Sequence, residues 1–214
     1  MKKEFSVIPE KLVEEWPGQL TELGSWHEVV AQLPQPVFVV TGWKSNGKEN
    51  ACLQSSTAFV GSGGEYICIL GWVNKNGHMY QSLKETGGCV LNFPTREFYD
   101  KCYKTIENNQ LETDEITASG LTAEKAVKVN APRIKECFLN IECEYLWEHV
   151  LAPENPSIVA VAVKAVHLCM DSDYYGKRGR YGKTGYLYLA NAPHNPDTGE
   201  IGESGFAALE PYKM

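Results

Sequence analysis

Small hydrogen-bonding side chains are concentrated in one short segment, NACLQSSTAF, from Asn50 to Phe59. Four of them are consecutive, from Gln54 to Thr57. Such side chains are costly to bury unless a polar partner meets them. The segment would therefore suit a ligand that presents hydrogen-bonding groups, and the alternative is a solvated strand-to-turn segment.

A second candidate site is the start of a helix that we predict over His78 to Glu85. The first turn of a helix exposes unpaired backbone N–H groups and carries the positive end of the helix dipole, which favours a bound phosphate. The His78 ring adds a further donor. The alternative is an ordinary surface helix cap. The candidate residues here are Asn76, His78, Met79, Tyr80 and Ser82.

The segment from Gly42 to Lys48 has the glycine and lysine spacing of a phosphate-binding loop directly after a strand. The next position is Glu49, so the hydroxyl that would contact magnesium is missing, and no amphipathic helix follows. Asn46-Gly47 is a strong hairpin-turn signal because both residues tolerate positive φ. We therefore predict a hairpin here.

Other reactive side chains lack the spacing of a known site. Cys137 and Cys143 are an even number of residues apart, so we expect them on one side of a strand as buried free thiols. No nucleophile elbow or HExxH motif supports a hydrolase, and we name no catalytic residue. Four histidines have no metal-ligand spacing, and no metal site is predicted: His27, His149, His167 and His194.

Apolar runs bounded by turn residues predict a mostly β protein. Three short runs read as strands buried on both faces, two longer runs read as further strands, and one amphipathic helix lies between the two groups. Residues 109–133 read as irregular surface. The predicted strands are Val37–Thr41, Tyr66–Val73, Cys89–Phe93, Cys137–Leu151 and Ile158–Met170, and the helix is Thr95–Asn108 with Phe98, Tyr99, Cys102 and Ile106 on one side.

Composition places these elements in a folded domain. Of 214 residues 43% are hydrophobic and 22% charged, which supports a core. A net charge of -7 argues against nucleic acid as a partner. No signal peptide or membrane-spanning run is apparent, and seven cysteines without a CxxC pair indicate a reducing, cytoplasmic compartment. We predict one domain over 1–214, with a lead-in strap at 1–33 and an irregular extension at 171–214.

The order of these features resembles the flavin reductase-like family, including the flavoredoxins. The resemblance is carried by the Asn50-Ala51 step with its hydroxyl cluster, the stretch GHMYQSLKETG, and a strand ending at Asn92. Downstream, NAPRIKEC and LNIEC, ending at Cys137 and Cys143, are similar to the same family's pattern. The match covers roughly residues 34 to 169, and its order and spacing carry more weight than any single motif.

The resemblance implies an FMN-binding, closed antiparallel split β-barrel of six to eight strands with short peripheral helices. It also implies a homodimer and an NAD(P)H-dependent oxidoreductase or an electron-transfer protein with a redox protein as partner. A cofactor-free barrel that acts as a binding module is the alternative. The expected cofactor-binding residues are Asn50, Leu53, Gln54, Ser55, Ser56, Asn76, His78, Met79, Tyr80, Ser82 and Asn92.

The chain also departs from the family pattern. His78 and Met79 stand where the family commonly has a basic residue and a threonine, and Gly64-Glu65 replaces a Pro-Pro pair. Extra residues follow Lys104. We expect these differences to change the rim of the pocket and with it the choice of substrate.

Overall fold

The computed structural model describes residues 2–15, 26–176, 180–190, 194–203 and 205–210. Parts of the predicted strap and extension, at 1, 16–25, 177–179, 191–193, 204 and 211–214, lie outside these ranges. The helices are α1 (Glu10–Glu15), α2 (Trp26–Ala31), α3 (His78–Thr86), α4 (Arg96–Glu107) and α5 (Glu115–Ala118). The strands are β1 (Gln35–Pro36), β2 (Phe38–Trp43), β3 (Glu49–Gln54), β4 (Thr57–Ser62), β5 (Glu65–Asn74), β6 (Gly88–Phe93), β7 (Ala123–Lys125), β8 (Pro132–Ile134), β9 (Leu139–Ala152), β10 (Asn155–Met170), β11 (Leu187–Ala190) and β12 (Gly205–Ala208).

The chain divides into two compact units. One comprises Met1–Gln35 with Tyr188–Ala207, and the other comprises Pro36–Leu187 with Ala208–Met214. In the first unit, Leu12 is buried and the Val29 carbonyl accepts a hydrogen bond from the His194 amide. A three-stranded sheet has the order β1-β11-β12. All the predicted site residues belong to the second unit, and the single-domain assignment stays a prediction.

A seven-stranded antiparallel sheet of order β3-β2-β6-β9-β10-β5-β4 forms the second unit. Its edge strands β3 and β4 are joined by Ser55 and Ser56 alone. In a flat sheet of this order the edges would be about 29 Å apart, whereas the chain from Gln54 to Thr57 spans at most about 11 Å. The sheet is therefore strongly curved, which brings the end of β3 within about 11 Å of the start of β4. The pairings place no backbone ladder between these two edge strands.

Strand β2 is buried on both faces, as predicted, because alternate residues enter two cores. Phe38 and Val40 belong to the large core inside the rolled sheet. Val39 packs instead with Cys102, Ile116 and Ile134 in a second core outside it. Strand β6 is also buried throughout, as expected. Strand β5 is not, because Cys68 and Leu70 face the inner core while Tyr66 and Trp72 are exposed, so that prediction was wrong.

The two predicted helices are present. Helix α3 ends at Gly87, whose φ of 73° is favourable for glycine and whose amide donates to the Leu83 carbonyl. Helix α4 buries Tyr99, Cys102 and Thr105. Ile106 was expected on this buried side but is 53% exposed. The predicted Asn46-Gly47 turn is confirmed, since β2 and β3 pair from Trp43 with Glu49 to Phe38 with Gln54.

The prediction of irregular surface at 109–133 was wrong, because this segment contains α5, β7 and part of the second core. Glu142 fixes its far end by accepting hydrogen bonds from the Val127 and Lys128 amides and from Arg133. Burial alone would raise the pKa of Glu142, but these hydrogen bonds outweigh it and lower the pKa to about 2.

The two cysteines singled out above are buried and free, as predicted. They do not share one face of a strand, because β9 begins at Leu139, after Cys137. Cys137 packs in the outer core and Cys143 in the inner core.

Candidate functional site

A cavity of about 330 Å³ lies where the rolled sheet is split. One wall is strand β3 at one edge of the sheet, and another comes from β5, the neighbour of the opposite edge strand. The start of α3 and the end of α4 complete it. The lining residues are Asn50–Gln54, Trp72–Asn74, Gly77–Met79, Thr105, Ile106 and Asn109. A volume of this size lies at the lower end of the range for small-molecule sites.

Asn50 lines this cavity and carries a buried side-chain amide without a partner in the described part of the chain. Its side chain is 2% exposed, and its Nδ2 has no hydrogen-bond partner among the residues that the structure describes. A buried donor left unpaired costs about 1–3 kcal/mol, so such groups are rare in folded proteins. The Asn50 amide is therefore suited to a ligand that brings a hydrogen-bond acceptor into the cavity.

The start of α3 forms the adjacent wall. Gly77 stands at its N-cap position and no described side chain caps the helix, so its first amides have no side-chain acceptor. His78 Nδ1 lies 3.1 Å from Asn109 Oδ1, and Gln54 Nε2 approaches Met79 Sδ at 3.9 Å. The hydroxyl-rich segment and the helix start, which the sequence indicated separately, thus meet in one place.

The wall that carries Ile106 and Asn109 is anchored by a buried ion pair. Lys44 Nζ lies 2.7 Å from Glu115 Oε1, and both side chains are 1% exposed. Lys44 also donates to the carbonyls of Gln110 at 2.6 Å and Thr113 at 2.8 Å. Burial raises the pKa of Glu115 despite the contact with Lys44.

Further contacts extend the same anchor along the β2–β3 turn. Asn46 Nδ2 donates to the Leu111 carbonyl, and Lys48 Nζ lies 2.7 Å from Asp114. Glu49 accepts a hydrogen bond from the Thr117 amide at 2.8 Å. The hairpin that resembles a phosphate loop thus serves to hold residues 110–117 beside the cavity.

Five of the predicted site residues line the cavity: Asn50, Leu53, Gln54, His78 and Met79. Ser55 and Ser56 lie in the link between the sheet edges, where the Ser56 carbonyl accepts a 2.8 Å hydrogen bond from the Gly71 amide. Asn76 lies in the exposed turn before α3.

Three other predicted residues lie outside the cavity lining. The Tyr80 hydroxyl donates to Glu148, which also binds Lys75, Lys84 and Tyr145. Burial alone would raise the pKa of Glu148, but these partners lower it to about 2. The Ser82 hydroxyl is buried without a hydrogen-bond partner among the described residues, and an ideal Cβ on Gly42 would lie 2.9 Å from the Ser82 Cβ.

The third of these residues, Asn92, is fully engaged inside the protein. Its Nδ2 donates to the Val39 carbonyl at 2.9 Å and to Thr41 Oγ1 at 3.0 Å. Its Oδ1 accepts from the Ile134 amide and from Asn140. Asn92 therefore joins the strands of the core, and its amide has no hydrogen-bonding capacity left for a ligand.

Sequence reasoning missed four contributors to this region: Trp72, Asn109, Lys44 and Glu115. An acidic residue buried beside a lysine from a distant segment has no local signature, and neither has an asparagine after a helix. The extra residues after Lys104 were the available signal, because Ile106 and Asn109 belong to that stretch.

The cavity holds no ionised thiol, since burial raises the pKa of Cys52 to about 11. Within the described ranges, no three His, Cys, Asp or Glu side chains are grouped to hold a metal ion. None of the described helices is long and apolar enough to cross a membrane.

Fold and cavity together define a mostly β protein with a cavity beside the edge of a curved antiparallel sheet. Residues 30–185 match the family described as the flavin reductase like domain, and the chain belongs to this family. This confirms the resemblance inferred from the sequence.

Individual proteins are similar to this chain in sequence or in fold. An uncharacterized protein of Methanothermobacter thermautotrophicus is 26% identical over 143 residues, which span 67% of this chain and 66% of that relative. Nitrilotriacetate monooxygenase component B from Bacillus cereus has a similar fold, with a TM-score of 0.72, 17% identity and full coverage of both chains.

Two further solved structures share the fold. Flavoredoxin of Desulfovibrio vulgaris has a TM-score of 0.67 and 15% identity over 100% of this chain and 96% of that chain. An FMN-binding protein from Thermus thermophilus, with bound p-hydroxybenzaldehyde, has a TM-score of 0.68 and 13% identity over the whole of both chains. At these identities the likeness shows the split-barrel fold alone.

Proposed function

We propose that this protein is a flavoprotein of the flavin reductase-like type that binds FMN in the cavity at the split of a closed barrel and passes electrons from NAD(P)H to an acceptor. The observation that carries the proposal is the buried, unpartnered amide of Asn50. Family membership supports a flavin-related redox role, and the FMN-binding neighbour supports FMN as the flavin.

The side chains around the cavity fit the chemistry of FMN. The isoalloxazine ring has an acceptor-rich pyrimidine edge, which can take the hydrogen bond that the Asn50 amide offers. Leu53 and Met79 supply apolar contact for a ring, and the uncapped start of α3 together with His78 supplies donors for a phosphate. Bound FMN would supply the redox chemistry, as an acceptor of a hydride and a donor of one or two electrons.

The protein's own contribution is to bind and orient the flavin. Cys52, a neutral thiol, adds an apolar surface to the wall, and the anchored segment beside Asn109 limits access of water. No side chain is needed as a general acid or base, so the proposal includes no catalytic residue.

Spectroscopy of freshly purified protein tests the proposal. We expect the visible absorption band of a bound flavin, or its recovery on titration with FMN, with FAD and riboflavin as competing ligands. The Asn50→Leu variant should bind FMN about tenfold or more weakly, because the donor is lost, while its apo-form is no less stable. Asn155→Leu, at the exposed start of β10, is the control and should bind FMN normally. Wild-type protein that takes up no flavin would refute the proposal.

Steady-state oxidation of NADH and NADPH by the flavin-loaded protein separates an enzyme from an electron carrier. An electron-transfer protein would hold FMN but show no turnover with either nucleotide. A homodimer and a cytoplasmic location stay predictions, and gel filtration with light scattering tests the first of them.

A further inference from the structure

Trp72 is a large aromatic residue at the cavity that the sequence did not single out. It lines the cavity and is nevertheless 57% exposed. Among the residues that the structure describes, none hydrogen-bonds to its indole or stacks on it. A single exposed hydrophobic residue is ordinary on a protein surface. The backbone conformation at Trp72, in contrast, is unusual.

A β-bulge places Trp72 at the cavity. In the ladder between β5 and β10, Val73 pairs with Val159 and Leu70 pairs with Val161. Two residues, Gly71 and Trp72, therefore stand opposite Ala160 alone. Such an extra residue bends the strand and redirects a side chain, and bulges of this kind are frequent beside active sites.

The bulge holds Trp72 in a strained conformation. Its φ is 56°, in the left-handed region that glycine and asparagine adopt much more readily than a bulky residue. Gln32 is the other non-glycine residue with positive φ in the described part of the chain. Keeping tryptophan at a position where glycine would relieve strain indicates that the indole has a role outside the fold.

We propose that Trp72 is the stacking face for a planar heteroaromatic ring bound at the cavity, and that it contributes to the choice of ligand by this contact. The proposal rests on the proposed flavin function. The ring is the isoalloxazine of the flavin or the nicotinamide of the electron donor, which share the flat, electron-poor surface that an indole face attracts. Stacking places the indole against the ring and leaves the polar edges to Asn50 and His78.

Variants of Trp72 in the full-length protein give a test with two readouts. Trp72→Gly removes the ring and relieves the strain, so we expect FMN to bind about three- to tenfold more weakly while the unfolding midpoint of the apo-protein stays unchanged or rises. Trp72→Phe keeps an aromatic face and should bind FMN within about twofold of the wild type. Lumiflavin, the ring without the phosphate chain, should show the same ratio between variants as FMN.

Trp147 provides the matched control, because it is 42% exposed in strand β9, lies outside the cavity lining and has no positive φ. Trp147→Gly should bind FMN like the wild type and lower the unfolding midpoint, since glycine weakens a strand. Trp72→Gly should thus lose FMN affinity without losing stability, whereas Trp147→Gly should lose stability without losing FMN affinity. This difference separates a ligand-binding role from a structural one.

The outcomes distinguish the two proposals. One outcome is that Trp72→Gly binds FMN normally while its flavin-loaded form binds nicotinamide mononucleotide more weakly than the wild type does. In that case the proposed stacking role of Trp72 stands, and the ring that it contacts is the nicotinamide. If neither ligand is affected, or Trp72→Phe loses as much affinity as Trp72→Gly, the inference fails while the flavin function stands. If the wild-type protein binds no flavin, both fail.

Discussion

Replacement of Lys44 by methionine tests whether the buried ion pair holds the cavity wall in place. Methionine keeps an unbranched apolar stem but removes the ammonium group. That group lies 2.7 Å from Glu115 Oε1 and also donates to the carbonyls of Gln110 and Thr113. The variant therefore leaves a buried carboxylate and two backbone acceptors without their cationic donor.

The expected loss of stability is large. Removing one partner of a buried ion pair typically costs about 3–5 kcal/mol, because the remaining charge stays buried. Total stabilities are about 5–15 kcal/mol, so the folded state would lose a large share of its margin. We expect this loss in the free energy of unfolding, measured by urea titration with tryptophan fluorescence.

The loss should depend on pH in a defined direction. Burial already raises the pKa of Glu115, and Lys44 opposes that rise. Without Lys44 the pKa rises further, so protonation at low pH removes the uncompensated charge. The deficit relative to the wild type should therefore be smaller at about pH 5 than at about pH 8.

Lys48→Met is the matched control. Its ammonium lies equally close to a carboxylate, at 2.7 Å from Asp114, but the two side chains are 44% and 37% exposed. Solvent screens such a pair, so we expect little change in stability. If Lys44→Met unfolds at the same urea concentration as Lys48→Met at both pH values, the buried pair is not what holds the wall.

Three further changes probe the scaffold around the cavity. Gly42→Ala should destabilise the protein by about 1–3 kcal/mol in thermal unfolding, because its Cβ would lie 2.9 Å from that of Ser82, and adding Ser82→Gly should restore most of the loss. Asn92→Leu should cost about 3 kcal/mol in urea unfolding by leaving several buried partners unpaired, and a neutral result would show that they re-pair. The pKa of Glu142 is lowered from 4.5 to about 2. Its contribution to the free energy of unfolding, about 3 kcal/mol, is therefore present above pH 4.5 and lost as the pH falls towards 2. In acid unfolding, Glu142→Gln should not show this loss of stability between pH 4.5 and pH 2.

Local signals predicted the elements of the site well, because turns and helix ends are set by neighbouring residues. Asn46-Gly47 forms the hairpin and Gly87 ends α3, as expected. Gln54 and Met79 lie side by side. Only the family resemblance placed both residues at one cofactor, because sequence spacing alone does not show that a strand and a helix start are neighbours.

The parts that escaped prediction depend on long-range pairing. The bulge at Trp72 follows from the register of β5 on β10, which no run of residues within β5 reveals. The buried position of Lys44 depends on acceptors more than sixty residues away in the chain. The family resemblance placed Asn92 at the cofactor, but neighbouring strands use all its hydrogen bonds.

The two-residue link at Ser55 and Ser56 gives the sheet a seam. The edge strands β3 and β4 can move apart here without breaking a backbone ladder, because the sheet pairs its strands in the order β3-β2-β6-β9-β10-β5-β4 and has no ladder between β3 and β4. Asn50 lies on one lip of the seam, and Trp72 lies one strand in from the other. A change in the curvature of the sheet would therefore change the distance between these two walls of the cavity while every backbone ladder stays intact.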